Sequence, residues 1–294
     1  MTVNQAHDTA RDPGASGRSG GKTGPESPVR NDRPLLDQLA KVKDDFERIY
    51  VILAPPRCSS TALARLFWEH PAVRCYLHEP FERAYFLDGA LEQTIAALER
   101  PIELRESGPA LVIKEMTFQV GEHFPILSQL TDRPLVFTVR DPRLNIWSRM
   151  DKRRQDGHAP IYPEIESGWH DLARQIERCR EDRLPYVLID STVFRNLPQV
   201  VLSKLFARLG LEFSPELLHW RARENLPIAN FGDEQRRWYR RVLESTGIEP
   251  ATETIRDVAE FPRTFQPHVE ACLEIYRDLL SDSQLLSPGV ELPT

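Results

Sequence analysis

The sequence predicts an α/β fold of three layers, α/β/α, around a central parallel sheet, with a helical C-terminal part. Two observations carry this. Short continuous apolar runs recur, as sheet-buried parallel strands require, and segments of helical period separate them. After residue 190 the runs stop and helical periodicity takes over.

Residues 1–33 are rich in Gly, Ser, Pro and charge, with almost no large apolar side chain. Such a segment cannot offset its ordering entropy by burial, so it is expected to be a disordered tail ahead of a single domain spanning 34–294. The fragment GRSGGKTG inside it has no strand before it and no apolar helix after it, so it does not qualify as a phosphate loop. PLLDQLAKVKDDFER predicts the first helix, with Pro at a first-turn position. Strands follow at IYVILA, in the region just before His78, at ALVIK (110–114), at PLVFTV (134–139) and at PYVLI (185–189). Beyond them, LPQVVLSKLFARLG ends on a glycine suited to a C-cap, and SPELLHWRARENL opens with a Ser N-cap followed by Pro. DEQRRWYRRVLES and QPHVEACLEIYRDLL are the last two helix candidates. Trp68, Trp147 and Trp169 read as core or helix-packing residues.

The chain has 294 residues, 40% hydrophobic, and a formal charge of −6. That balance gives no global attraction for nucleic acid or anionic membrane, so any anionic ligand depends on local positive charge. The four cysteines, Cys58, Cys75, Cys179 and Cys272, show neither CxxC pairs nor a Cys/His cluster. No zinc site and no disulfide framework is expected, and a cytoplasmic location follows. No stretch approaches the roughly 18 apolar residues of a membrane span.

Chemistry concentrates first in YVILAPPRCSSTAL. A strand, a tight turn and a helix start aim several N–H groups at one spot, where the helix dipole adds positive potential. Arg57 supplies a fixed cation, and Ser60 and Thr61 supply hydroxyl donors, so the ligand expected is a phosphate ester. The plainer reading is a Pro-rich turn with a Ser/Thr cap. The nucleotide-triphosphate pattern GxxxxGK[ST] is not met, because no glycine follows Ala54 and no Lys precedes the hydroxyl. The loop resembles the 5′-phosphosulfate loop of the PAPS-dependent sulfotransferases, with Ser59 where that loop usually has Gly. A positive φ at Ser59 would strain it.

A second constellation is RDPRLNIWSRM. Arg140 ends a predicted strand and Ser148 stands eight positions on, about two turns into the next helix. It resembles the RxPxxxxxS pattern that binds the donor's 3′-phosphate in the same family. Asp141 fits an N-cap and Pro142 a first turn. Arg143, Arg149, Lys152, Arg153 and Arg154 add positive charge, as local steering or as a solvated helix face. LPYVLIDSTVFRNLPQVVLSKLFARLGLEF extends the likeness to about Trp220.

The resemblance implies a P-loop-like sulfotransferase architecture and a transferase moving a sulfuryl group from PAPS (3′-phosphoadenosine 5′-phosphosulfate) to a hydroxyl on a small metabolite or natural product. PAPS is then the co-substrate, with no metal required. Arg57, Cys58, Ser59, Ser60, Thr61, Ala62, Arg140 and Ser148 would bind it, with Arg57 also on the leaving oxygen. Some members keep a catalytic Glu about twenty residues beyond the loop, and this chain shares their HPxVRC lead-in. Glu79 is therefore the first candidate base, with burial expected to raise its pKa, and His78 is the second. The plainer reading of both is structural, with His78 bonding backbone and Glu79 capping a turn. Another branch uses Lys-x-His on the strand matching ALVIKEM. Here Lys114 matches its Lys, while Met116 stands in place of its His. Lys114 would stabilise the transferring group, or else be a solvated strand-end Lys. FGDEQRRWYRR would fold over the 3′-phosphate, although a charged helix start explains Arg236 and Arg237 equally well. A phosphoryl-transfer enzyme and a non-catalytic PAP- or PAPS-binding module are the alternatives. Neither acceptor nor oligomeric state is written in a motif.

Overall fold

Six strands build one sheet: β1 (Arg48–Ala54), β2 (Val73–His78), β3 (Ile102–Glu103), β4 (Ala110–Met116), β5 (Leu135–Val139) and β6 (Tyr186–Asp190). Their spatial order is β3-β2-β4-β1-β5-β6, and every pairing is parallel except that of the two-residue β3 with β2. The computed structural model describes residues 32–87 and 91–288. The expected tail, up to residue 31, and its GRSGGKTG fragment lie outside the described residues.

Helix α1 (Arg33–Asp45) leads into β1, and α2 (Ser60–Glu69) carries the chain to β2. After β2 come α3 (Glu82–Phe86) and α4 (Leu91–Leu98), and after β4 the single turns α5 (Thr117–Val120) and α6 (Phe124–Leu127). Helices α7 (Pro142–Gln155) and α8 (Trp169–Glu181) join β5 to β6. The C-terminal part holds α9 (Ser191–Asn196), α10 (Pro198–Leu209), α11 (Asp233–Glu244) and α12 (Gln266–Leu280).

From Ile49 onward strand β1 is apolar because both its faces are covered. Val51 and Leu53 join Leu111, Ile113 and Phe137 in a core closed by α1, α8 and α12. Tyr50 and Ile52 face the opposite layer, where Leu63, Leu66 and Phe67 of α2 meet Leu202, Leu205 and Phe206 of α10. Alternation along each strand thus sorts apolar side chains into two cores with the sheet between them. Strand β1 has β4 on one side and β5 on the other, and the connections after β1 and β5 lead to opposite sides of it. The crevice outside the carboxyl ends of such strands is where α/β folds take ligands.

Trp68 and Trp169 are fully buried. Trp147 packs edge-on to Phe261, with the guanidiniums of Arg154 and Arg256 4.9 and 4.1 Å from its ring centre. Gly210 caps α10 at φ 68°, as its sequence position predicts. One expected helix is missing. From Ser214 only the 3₁₀ turn Pro215–Leu218 forms. Past it, the N–H groups of Trp220 and Arg223 donate to the carbonyls of Thr246 and Leu243 at 3.0 and 2.8 Å, so tertiary partners replace helical ones. No helix among the described residues is long and apolar enough to cross a membrane.

Candidate active site

Beyond Ala54 the chain turns through Pro55, Pro56, Arg57 and Cys58 into α2. Arg57 and Ser59 are both left-handed, at φ 65° and 60°. Ser59 therefore adopts the conformation that favours Gly at this position, at a cost on the order of 1 kcal/mol. Left-handed residues ahead of a helix gather N–H groups into an anion-binding concavity. Ser59 is the N-cap of α2 and its side chain makes no capping hydrogen bond, which leaves the helix's first N–H groups for a ligand. Ser60 is buried, whereas Thr61 and Ala62 are half-buried. Cys58 is fully buried, and burial pushes its thiol well above the ordinary range, so its side chain is packing.

The second constellation is fastened to this loop. Arg57, exposed, donates from Nε to Ser148 Oγ at 3.1 Å. Arg140 Nη1 donates to the Arg57 carbonyl at 3.3 Å, and Asn145 Nδ2 to the Pro56 carbonyl at 3.0 Å. Trp169 Nε1 holds Asn145 Oδ1 at 3.3 Å. The start of α7 is as its sequence predicts: Asp141 caps it by accepting from the Arg143 N–H at 2.9 Å, with Pro142 following. Arg140 is only 4% exposed. Its Nη2 stands 2.9 Å from Glu253 Oε1 as an ion pair without hydrogen-bond alignment, and its Nε has no hydrogen-bond partner among the described residues.

The surrounding positive charge is weaker than the sequence suggests. Arg143 pairs with Asp141 at 2.7 Å, Lys152 with Asp156 at 3.8 Å and Arg154 with Asp151 at 2.6 Å, while Arg149 pairs with Glu166. Arg153 donates to the Ala159 carbonyl at 2.8 Å. Steering by this helix shrinks accordingly, and Arg140 is the cation that bonds the loop's backbone.

The candidate bases lie on the neighbouring strands. Tyr76, His78, Val112 and Lys114 share one sheet face by two-residue alternation, and the register sets His78 beside Lys114. Glu79 follows in a left-handed conformation, φ 48°, with its N–H donating to the Lys114 carbonyl at 2.7 Å. Lys114 is fully buried, so the solvated-Lys alternative does not hold. Its Nζ donates to Glu79 Oε1, Gln119 Nε2 donates to Oε2 at 3.2 Å, and the Tyr239 hydroxyl donates to Oε1 at 3.4 Å. His78 Nε2 lies 3.3 Å from the same oxygen.

The expectation of a raised Glu79 pKa is reversed. Burial pushes the carboxyl up, but the charge of Lys114 and the hydrogen bonds from Lys114 and Gln119 together hold it below its ordinary value. Burial pushes His78 down to about 3, so its ring is neutral near pH 7, with the Tyr76 hydroxyl 2.6 Å from Nδ1. Of the two candidates, Glu79 is the one held as an anion.

Two further buried carboxyls flank the pair. Glu82 accepts from Asn230 Nδ2 at 2.8 Å and Gln235 Nε2 at 2.6 Å, and burial, with Glu79 nearby, raises it to about 8. Glu115 accepts the N–H groups of Phe81 and Met116 at 2.8 and 2.7 Å and is pushed well up, chiefly by burial. Among these three carboxyls only one touches the buried cation. That one, Glu79, is held below its ordinary value, whereas Glu82 and Glu115 are both pushed up, Glu82 to about 8.

FGDEQRRWYRR runs into α11, which meets the Glu79 side through Gln235 and Tyr239, while Arg237 and Trp238 reach Asp156 at the end of α7 at 2.9 and 2.8 Å. The side chain that meets Arg140 is Glu253. Sequence reasoning missed Tyr239, Asn230 and Glu253, which arrive from 113 or more positions away without a local pattern. Glu82 had a signal, since it stands one helical turn from Glu79 in EPFE.

In class, sulfotransferases are among the solved structures to which this chain is similar. They include the sulfotransferase domain from the curacin biosynthetic pathway, 18% identical with a TM-score of 0.48 and covering 80% of this chain and 98% of that one. The sulfotransferase domain of the Synechococcus olefin synthase is 20% identical, with a TM-score of 0.48 and coverage of 79% and 95%. A mouse sulfotransferase complexed with PAP is 11% identical, with a TM-score of 0.44 and coverage of 84% and 89%. No family model and no curated protein matches the sequence.

Proposed function

We propose that the chain is a sulfotransferase that moves a sulfuryl group from PAPS to a hydroxyl acceptor on a small metabolite or natural product, in the cytoplasm. The observation that carries this reading is the meeting of two sequence-distant phosphate-type segments at one sheet edge, Arg57 on Ser148 at 3.1 Å and Arg140 on the Arg57 carbonyl at 3.3 Å. The residues fit a doubly phosphorylated donor. The uncapped first turn of α2 and the hydroxyls of Ser60 and Thr61 suit the 5′ end, and the under-bonded guanidinium of Arg140 with Ser148 suits the 3′-phosphate.

In the transfer, the acceptor oxygen forms a bond to sulfur as the bond from sulfur to the bridging phosphate oxygen breaks. Glu79 takes the acceptor's proton, and Arg57 stands against the oxygen that keeps the electron pair. Lys114 couples the two roles. Any pull on its ammonium by the anionic sulfuryl group loosens its hold on Glu79, and burial then lifts that carboxyl toward a working base.

Calorimetry with adenosine 3′,5′-bisphosphate, AMP and ATP tests the donor. The bisphosphate is expected to bind tightest, and Arg140→Ala to weaken it by roughly ten- to hundredfold, as loss of charged hydrogen bonds implies, with AMP little changed. No preference over AMP would sink the assignment. A non-catalytic PAP-binding module is the second reading, favoured by the closed Glu79–Lys114 pair. Donor-coupled screening of alcohols and phenols separates the two, because Glu79→Gln should abolish turnover without altering bisphosphate affinity only if there is turnover.

A further inference from the structure

Between α11 and α12 the stretch 248–257 has no regular structure, yet it is held firmly. Arg195, in the last turn of α9 and only 8% exposed, donates from Nε to the Glu249 carbonyl at 2.9 Å and from Nη2 to the Pro250 carbonyl at 2.8 Å. Its Nη1 donates to both carboxylate oxygens of Glu253, at 2.9 and 3.1 Å. Asn196 Oδ1 accepts the Ala251 N–H at 2.9 Å. So anchored, Glu253 brings Oε1 to 2.9 Å from Arg140 Nη2.

The two contacts of Glu253 differ in quality. Both of its oxygens are engaged by Arg195, whereas its approach to Arg140 is an unaligned ion pair, and Arg140 keeps both Nε and Nη2 without a hydrogen bond. A buried guanidinium with two unmatched donors is under-satisfied. Two guanidiniums against one carboxylate also leave a net charge of +1. A phosphate dianion supplies what is missing, with a second charge and a third oxygen to fill the fork of Arg140. Burial pushes the Glu253 carboxyl up, but its bond to Arg195 and the Arg140 charge bring it down to about 2. It is an anion at every working pH.

We propose that Glu253 is an internal anion seated on the Arg140 pocket, displaced when a phosphate enters, and that it thereby limits how strongly the site prefers a nucleotide with a 3′-phosphate to one without. This rests on the reading of Arg140 as a 3′-phosphate ligand. The displacement burdens only a ligand that places an anion there, so AMP binding escapes it.

The test is calorimetry of adenosine 3′,5′-bisphosphate, AMP and inorganic phosphate on the full-length protein and on Glu253→Gln, with hydrogen exchange followed over 248–257. Glu253→Gln is expected to bind the bisphosphate about tenfold tighter with AMP within about twofold, and bound bisphosphate to speed exchange of 248–257 in the wild type. Glu253→Ala should act in the same direction. Weaker or unchanged bisphosphate binding in Glu253→Gln, or exchange that ignores the ligand, overturns the proposal, since a residue that merely positions Arg140 behaves so. If neither form binds the bisphosphate, the donor reading falls and inorganic phosphate decides. Tighter phosphate binding by Glu253→Gln then keeps the internal anion, and equal binding removes it.

Discussion

Lys114 is the residue on which the charge state of the site turns. It is a fully buried ammonium beside Glu79, Glu82 and Glu115, and of these carboxyls it bonds Glu79, the one held below its ordinary value. Breaking such a pair from one side leaves an uncompensated buried charge, which is why Glu79 stays an anion only while Lys114 stays put. Glu82 supplies a measurable consequence. Its folded value of about 8 lies above the ordinary 4.5, so the folded protein holds a proton that the unfolded chain has lost. Its stabilising contribution is complete below about pH 4.5 and drains away as pH rises through about 8. Glu79 acts oppositely, since its depressed value gives stability that is lost in acid. Glu82→Gln should therefore flatten the decline between about pH 4.5 and 8, where this one group contributes a slope approaching about 1.4 kcal/mol per pH unit. Urea unfolding at a series of pH values checks it, and a slope unchanged by the substitution contradicts the assignment.

At the scale of elements, Asn230 joins the C-terminal part to the β2 edge. Its side-chain amide donates to the carbonyls of His78 and Glu79, both at 3.2 Å, as well as to Glu82. It thus braces the left-handed backbone of Glu79, while Gln235 and Tyr239 dock α11 over the same carboxyls. Asn230→Ala leaves these buried acceptors short of a donor and should cost about 1–3 kcal/mol. Hydrogen exchange should quicken in 78–82 and 228–239 and stay unchanged in β1 and β5. Exchange that rises uniformly would mean a general loss of stability instead. The strands of this architecture were legible because parallel strands buried on both faces leave unbroken apolar runs such as IYVILA and PLVFTV. The helix expected from Ser214 failed because Trp220 and Arg223 pair with residues more than 19 positions on, which local propensity does not register.

For the whole molecule, the sheet order gathers Arg57, Glu79 and Arg140 at one edge, each within three residues of the end of its strand. Gly168 shows how closely the layers meet there. It lies at φ 76°, and a Cβ would stand 2.6 Å from Thr117 Oγ1 and 3.1 Å from Pro55 Cα. Thr117 Oγ1 also donates to the Gly168 carbonyl at 2.7 Å, so α5, the start of α8 and the loop after β1 share one contact. Gly168→Ala should lower stability by about 1–3 kcal/mol through overpacking, with added strain at positive φ, and disturb bisphosphate binding through Pro55. A thermal midpoint equal to the wild type's would contradict this.

By itself the sequence determined the alternation of strand and helix, the loop from Pro55 to Thr61 and the Asp141–Pro142 start of α7 after Arg140, because each is set by periodicity or short-range spacing along the chain. The tertiary structure alone decided the protonation pattern of the carboxyls, the bracing of Glu79 by Asn230 and the seating of Glu253 on Arg140. Those depend on burial and on Coulomb contacts between segments far apart in sequence, and neither burial nor distance is encoded in local pattern.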